Sequence, residues 1–234
     1  MSKLVIYTAT IGRQDEIQAP MVVTAGADYI CFTDLPETVP PPWQTRPAVW
    51  ASISPDPMRA ARHYKVLAHK HFPDLGPSDL SIWQDATHAG SRDYGTLDLG
   101  GHDLAALSHF SRDCLYDEAD QVALHGLDDQ GVILAQVKRY LHDGYPPHRG
   151  LHDSSFLVRR HTSAVEDFNN QWWQAIAAGS RRDQLSFDYV LWKTGLKCLT
   201  LAGVSRRPGA DGPVNTLFTF QPRGQRLRPV TPWL

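Results

Sequence analysis

The residues best suited to chemistry in this chain sit where short apolar runs end and where helices begin. In SIWQDATHAG, residues 81–90, the β-favouring Ile82 and Trp83 run through Gln84 into one carboxylate, Asp85. Open α/β sheets bind ligands outside the carboxyl ends of their strands, so this acid is placed to face a cleft. Two acids spaced Asp-x-Asp would hold a divalent cation and a nucleotide diphosphate, but Trp83 stands where the first acid would be. A lone carboxylate is a poor cage for Mn2+ or Mg2+, which take about six oxygen ligands. His88 and His152 are the candidates for completing such a site.

Four further groups carry polar chemistry. Arg59, Arg62 and Lys65 recur at i, i+3 and i+6 behind an Asp56-Pro57 helix start. They can neutralise a diphosphate through charge-assisted hydrogen bonds, or line a solvated helix face. In SRRDQLSF, residues 180–187, Asp183 and Gln184 open a helix, where the dipole and free N–H groups position them. A carboxylate there can act as a general base or hold sugar hydroxyls, with simple capping as the plainer reading. Tyr7-Thr8-Ala9 and Thr33-Asp34 end the first two strand-like runs and suit a base and ribose, or merely begin turns. His109, Arg112, Cys114, Tyr116 and Glu118 crowd into ten residues.

Several classes drop out. There is no G-x-x-x-x-G-K-[ST], G-x-G-x-x-G, H-E-x-x-H or G-x-S-x-G. The three cysteines form no C-x-x-C pair, which supports neither a zinc knuckle nor a disulfide framework. A net charge of -2 argues against a broad nucleic-acid footprint, although Arg206, Arg207, Arg223, Arg226 and Arg228 crowd the last thirty residues or so. MSKLVIYTAT runs straight into a strand pattern without a signal-peptide core, and no apolar run reaches the ~20 residues of a membrane span. A soluble cytoplasmic protein is expected.

The elements that must position these groups follow from hydrophobic periodicity. KLVIYTAT (3–10), DYICFTD (28–34), SDLSIWQDA (78–86), SSFLVRR (154–160) and KCLTLAGV (197–204) read as strands. The proline-dense stretch 35–47 reads as a loop, followed by strand-like sequence at 47–53. Residues 56–71, 100–119, 128–143, 165–179 and 180–195 read as helices. The order predicts an α/β fold: one Rossmann-like domain with a mixed, mostly parallel sheet flanked by helices. It should span 1–203, with a ligand-binding half at about 1–100 and a second half at 101–203. Residues 204–234 read as an Arg/Pro-rich tail without a core pattern.

Together, YTATIGRQD (7–15), ICFTD (30–34), the Asp56–Lys65 helix, SIWQDA (81–86), HFSRDCLYDEA (109–119), GYPPHRGLHDSSFLVRRH (144–161) and WWQAIAAGSRRDQLSFDYVLWKTG (172–195) resemble a glycosyltransferase-like family. That family has a GT-A-type fold and includes plant proteins of mucilage and cell-wall polysaccharide synthesis. The pieces fall in the family's order over roughly residues 4–200, the last block being the most specific. The resemblance implies transfer of a sugar from a nucleotide-diphosphate donor, such as a UDP-sugar, to a hydroxyl acceptor. It places Tyr7, Thr8, Ala9, Arg13 and Asp34 near the nucleotide, with Arg59, Arg62, Lys65, Trp83, Gln84 and Asp85 near the diphosphate and sugar. Asp85 takes the position of the metal-binding acid, so a divalent cation (Mn2+ or Mg2+) is a candidate cofactor, with the cations of the Arg59–Lys65 helix as its substitute. Asp183 and Gln184 face the donor sugar or acceptor. In an inverting reaction Asp183 is the candidate base; in a retaining one Asp183 or Gln184 lines the front face. His109, Arg112, Gly150, Leu151, His152, Trp173 and Arg181 fall on the acceptor or sugar side. The acceptor is a glycan or, less favoured, a modified DNA base. A non-catalytic nucleotide- or sugar-binding protein retaining the fold is the alternative.

Overall fold

The computed structural model describes residues 2–12, 15–204 and 215–220. Its strands are β1 (Leu4–Thr10), β2 (Asp28–Thr33), β3 (Gln44–Pro47), β4 (Leu80–Gln84), β5 (His88–Gly90), β6 (Leu104–Ser108), β7 (His152–Arg160), β8 (Cys198–Val204) and β9 (Phe218–Phe220). Its helices are α1 (Pro57–Val66), α2 (Ala68–His71), α3 (Leu115–Leu124), α4 (Gln130–His142), α5 (Ser163–Ala178) and α6 (Gln184–Thr194). Seven strands form one sheet in the order β3-β2-β1-β4-β7-β6-β8, and β5 pairs with β9 in a second, two-stranded sheet. β3, β2, β1 and β4 run parallel, whereas β7 lies antiparallel between β4 and β6. This is the mostly parallel, mixed sheet expected of a single Rossmann-like α/β domain.

LVIYTAT is apolar at nearly every position because β1 is buried on both faces, as inner parallel strands are. Tyr7, Trp83, Leu157, Trp172 and Phe187 belong to the core on one side of the sheet. Ile6, Ile82, Tyr94, Phe156 and Phe218 belong to the core on the other. The antiparallel strand decides the geometry of the cleft. It runs Gln84 against Phe156, and the Asp85 N–H donates to the Ser155 carbonyl at 2.9 Å. The start of β7 therefore lies at the carboxyl end of β4.

Asp56 caps α1 as its sequence suggests, accepting the Met58 N–H at 3.0 Å, and the helix packs against β1 and α5. The predicted helix over 56–71 is interrupted at Leu67, whose φ and ψ of -93° and 47° separate α1 from α2. The predicted helix over 100–119 is corrected: Leu104–Ser108 is a strand and only Leu115 onward is helical. Leu104, Ala105, Ala106 and Leu107 are helix formers, but all four are buried between β7 and β8, and sheet pairing overrides local preference. A strand also lies inside the proline-dense stretch, at Gln44–Pro47, where an edge position tolerates proline, while 48–50 is irregular and 51–53 forms a turn.

The stretch read as a coreless tail is corrected at 215–220. Leu217 and Phe218 are buried, β9 pairs with β5, and the Phe218 ring stacks on His88 at 3.8 Å between centroids. Asn215 Oδ1 accepts the Leu217 and Phe218 N–H groups and so turns the chain inward. Its backbone passes so close to Gly203, at φ 93°, that an added Cβ would sit 2.4 Å from the Asn215 Cα. The remainder of that tail, with Arg206, Arg207, Arg223, Arg226 and Arg228, lies outside the described residues, as does Arg13. No described helix is long and apolar enough to cross a membrane.

Phe218→Ala removes a buried ring from this closure and is expected to cost about 3–5 kcal/mol. The denaturant midpoint should fall at unchanged slope; a wild-type midpoint would show that the segment does not pack on the core.

Candidate functional site

Lys65 carries its charge into the interior from the inward face of α1, 1% exposed. A buried ammonium is costly unless paired and hydrogen-bonded, and here it is both. Its Nζ lies 2.5 Å from Asp183 Oδ2 and 3.8 Å from Asp85 Oδ1, and donates to Ser154 Oγ at 3.0 Å. Ser154 in turn donates to Asp183 Oδ2 at 2.9 Å, and Arg62 Nε lies 3.1 Å from Asp183 Oδ1. Trp83 Nε1 donates to Asp85 Oδ1 at 2.8 Å. Four elements thus meet in one network: α1, the start of α6, the carboxyl end of β4 and the start of β7.

Burial alone would raise the Asp183 carboxyl, but Arg62 and Lys65 outweigh it and hold the group far below the usual carboxylate range. Asp85 is also held below its ordinary value: burial opposes ionisation, and the charges of Lys65, Arg62 and His88 prevail. Burial lowers Lys65, and the attraction of Asp183 and Asp85 offsets this only in part.

Beside the network opens a cleft of about 240 Å³ at the carboxyl ends of β1 and β4, lined by Asp15, Arg62, Asp85, Arg181 and Arg182 among others. Arg181 is tied down, 3.2 Å from Asp56 Oδ2, and its backbone N–H donates to Asp128 at 2.8 Å. Arg182 is held differently. Burial and the charge of Arg62 keep its pKa below the ordinary value despite Asp183, Glu118 and Asp85. Its buried Nε has no hydrogen-bond partner among the described residues. Crowded guanidiniums, with the buried Nε of Arg62 and of Arg182 making no hydrogen bond among the described residues, suit an oxyanion that accepts several charge-assisted hydrogen bonds.

The structure gathers some of the predicted residues here and disperses others. Arg62, Trp83, Asp85, Arg181 and Ala9 line the cleft, with Lys65 and Asp183 directly behind it. Arg59 points elsewhere, donating to the Ile176 and Gly179 carbonyls and so capping the end of α5. Tyr7 is in the core, donating to the Lys65 carbonyl at 2.8 Å and accepting from Arg159. Thr8 is buried in β1, and Asp34 accepts the Gly12 N–H at the protein surface. Gln84 is buried between the His88 carbonyl and the Tyr94 hydroxyl. Trp173 packs edge-on against His63. His109 Nδ1 accepts the Ser111 and Arg112 N–H groups, and Arg112 pairs with Glu118 at 2.5 Å. Gly150 adopts φ 88°, and Leu151 is buried with its carbonyl accepting the His109 N–H.

His152 belongs to a second cavity, of about 200 Å³, lined by Tyr145, Arg149, Asp188, Trp192, Lys197 and Cys198 among others. Its Nδ1 donates to Asp188 Oδ1 at 2.5 Å, and Nε2 lies 3.3 Å from Thr200 Oγ1. Burial disfavours the imidazolium, but hydrogen bonds to Asp188 and Cys198 push its pKa up to about 10. Gln184 joins the two regions: its amide donates to the His152 carbonyl at 3.1 Å, next to Asp183.

Asp15, Ser154 and Arg182 are the site residues that sequence reasoning missed. Arg182 stood beside Asp183 in a motif already singled out, and adjacency was its only signal. Nothing local marks Ser154, which reaches the network because β7 is antiparallel to β4.

Neither His88 nor His152 joins Asp85 in a metal-ligand group of three; the one such group among the described residues is Cys114, Asp117 and His148. Lys65, which faces Asp85, repels a metal ion.

The chain matches the family model "TOD1/MUCI70, glycosyltransferase-like domain" over residues 49–201, more than half its length, and belongs to that family. The matched region holds Arg62, Lys65, Asp85, Ser154 and Asp183, whereas YTATIGRQD and ICFTD precede it. No curated protein matches the chain.

Two outcomes follow from the charges. Asp183→Asn removes the closest counter-charge of the Lys65 ammonium and should cost about 3–5 kcal/mol in chemical denaturation, most of it recovered by adding Lys65→Met. The carboxylate's contribution is present above its unfolded pKa of about 3.9 and is lost as pH falls below that. His152 has the opposite sign. Its contribution is complete below about pH 6.5, the unfolded value, and is lost as pH rises through about 10. NMR should show its imidazole still charged at pH 8; a midpoint near 6.5 would break the assignment.

Proposed function

We propose that this member of the family transfers a sugar from a nucleotide-diphosphate donor to a hydroxyl acceptor. The observation that carries the reading is the crowding of Arg62 and Arg182 at a cleft outside the carboxyl ends of β1 and β4. Cleaving the bond between sugar and diphosphate builds negative charge on the departing phosphate, and preorganised cations there lower the barrier. Arg62 and Arg182 meet that charge from the cleft wall, with Lys65 adding to the field from behind. We take the charge to be met by these side chains without a protein-held divalent cation, since the Lys65 ammonium lies 3.8 Å from Asp85 Oδ1 and disfavours a metal ion there.

In this reading Asp183 is a positioning residue. A general base works best with a pKa near the operating pH, and Asp183 is held far below it with both oxygens engaged. Its work is to orient Arg62 and hold Lys65 in place. Asp85 is the carboxylate that meets the sugar: it lines the cleft, Oδ1 is fixed by Trp83, and Oδ2 takes no hydrogen bond among the described residues. The acceptor enters from the side of the second cavity, where Trp192 and Tyr145 provide apolar surface beside His152 and Asp188.

One observation favours the non-catalytic alternative. Trp83 and Lys65 both hold Asp85 Oδ1, an arrangement that would equally serve a protein that binds the donor and goes no further.

Thermal-shift titration with nucleoside diphosphates and nucleotide sugars separates these cases. Stabilisation should persist in EDTA, and Arg62→Ala should weaken binding by roughly 10- to 150-fold, the loss of a charged hydrogen bond worth about 1.5–3 kcal/mol. Slow donor hydrolysis that disappears in Asp85→Asn supports transfer, binding without hydrolysis supports the alternative, and binding abolished by EDTA refutes the metal-free account.

A further inference from the structure

We propose that Cys114, Asp117 and His148 hold a zinc ion that staples the loop between α4 and β7 to the start of α3. One ligand atom from each of the three lies within 4.8 Å of the other two. A thiolate, an imidazole and a carboxylate suit Zn2+, whereas Mg2+ and Ca2+ prefer oxygen alone. Asp117 follows Cys114 by three residues at the helix start and so falls on the same face.

Two further features of His148 are compatible with a ligand role. Its φ of 52° makes it the one non-glycine residue in the left-handed region among those described. Such a conformation persists where the surrounding structure holds it, and such positions cluster at functional contacts. In addition, Nδ1 lies 3.0 Å from Asp113 Oδ1. A carboxylate only accepts, so Nδ1 carries a proton, and in the neutral ring Nε2 is the nitrogen left to ligate. This is how outer carboxylates orient metal-binding histidines.

Three protein ligands leave a fourth tetrahedral position to water or another group. The same loop is fixed once more where Tyr116 donates to the Tyr145 carbonyl at 2.6 Å. Beyond His148 it runs through Arg149 to His152, both in the second cavity, so the ion would set the rim of that cavity. The proposal holds whatever the donor is.

The test titrates the chelator-treated full chain with Co2+ and then Zn2+. Expected are one Co2+ per chain, a thiolate-to-cobalt charge-transfer band, and displacement of that band by Zn2+. Asp113→Asn should weaken binding about 10- to 100-fold. His148→Ala should abolish the band while far-UV circular dichroism is unchanged, since His148 is exposed and the buried Cys114 is left in place. Cys198→Ser should keep the band. Absence of a thiolate band, its survival in His148→Ala, or its loss in Cys198→Ser would each overturn the proposal.

Discussion

The ammonium of Lys65 sits inside the protein, and the surrounding architecture answers to it. One turn of α1 delivers the charge; the start of α6 brings Asp183, β7 brings Ser154 and β4 brings Asp85. Removing any one of these elements would leave a charge or a donor buried without its partner. Buried ion pairs contribute little net stability compared with apolar packing of similar shape, but breaking one is severe. The network therefore specifies an arrangement more than it strengthens one. It fixes how the cationic helix stands against the strand that ends in Asp85.

Much of the scaffold was legible in the chain, and the reasons are local. LVIY in the first strand and Ile82-Trp83 in the fourth carry the apolar signature of buried strands, and Asp56-Pro57 is a helix start written in two residues. Failure came where distant partners decide. Leu104–Ser108 is helix-forming by composition and becomes a strand only because β7 and β8 flank it. Leu217 and Phe218 sit between proline- and arginine-rich stretches, and no periodicity marks them.

The candidate site shows the same division. Arg59, Arg62 and Lys65 share one turning face in sequence, yet the structure gives them three separate tasks. Arg59 closes α5, Arg62 faces the cleft and Lys65 lies in the core. Spacing announces a shared face but not its neighbour, and the neighbour sets each role. Asp183 was legible as a residue at a helix start; that both its oxygens would be claimed depends on α1 and β7, far away in sequence. Glycosyltransferase-like membership rests on the order of such blocks over residues 49–201, and the chemistry rests on how tertiary contacts deploy them.

The pairing of β5 with β9 also bears on the order of events during synthesis. The Asp85 turn is closed by the His88 N–H, which donates to the Asp85 carbonyl at 2.9 Å, and His88 begins β5. Its ring is covered by Phe218, some 130 residues later in the chain. A ribosome extending this polypeptide has long since released the strand that ends in Asp85 before the residue that covers the turn exists. A chain halted short of β9 would carry the sheet and the Asp85 turn with the His88 ring left uncovered.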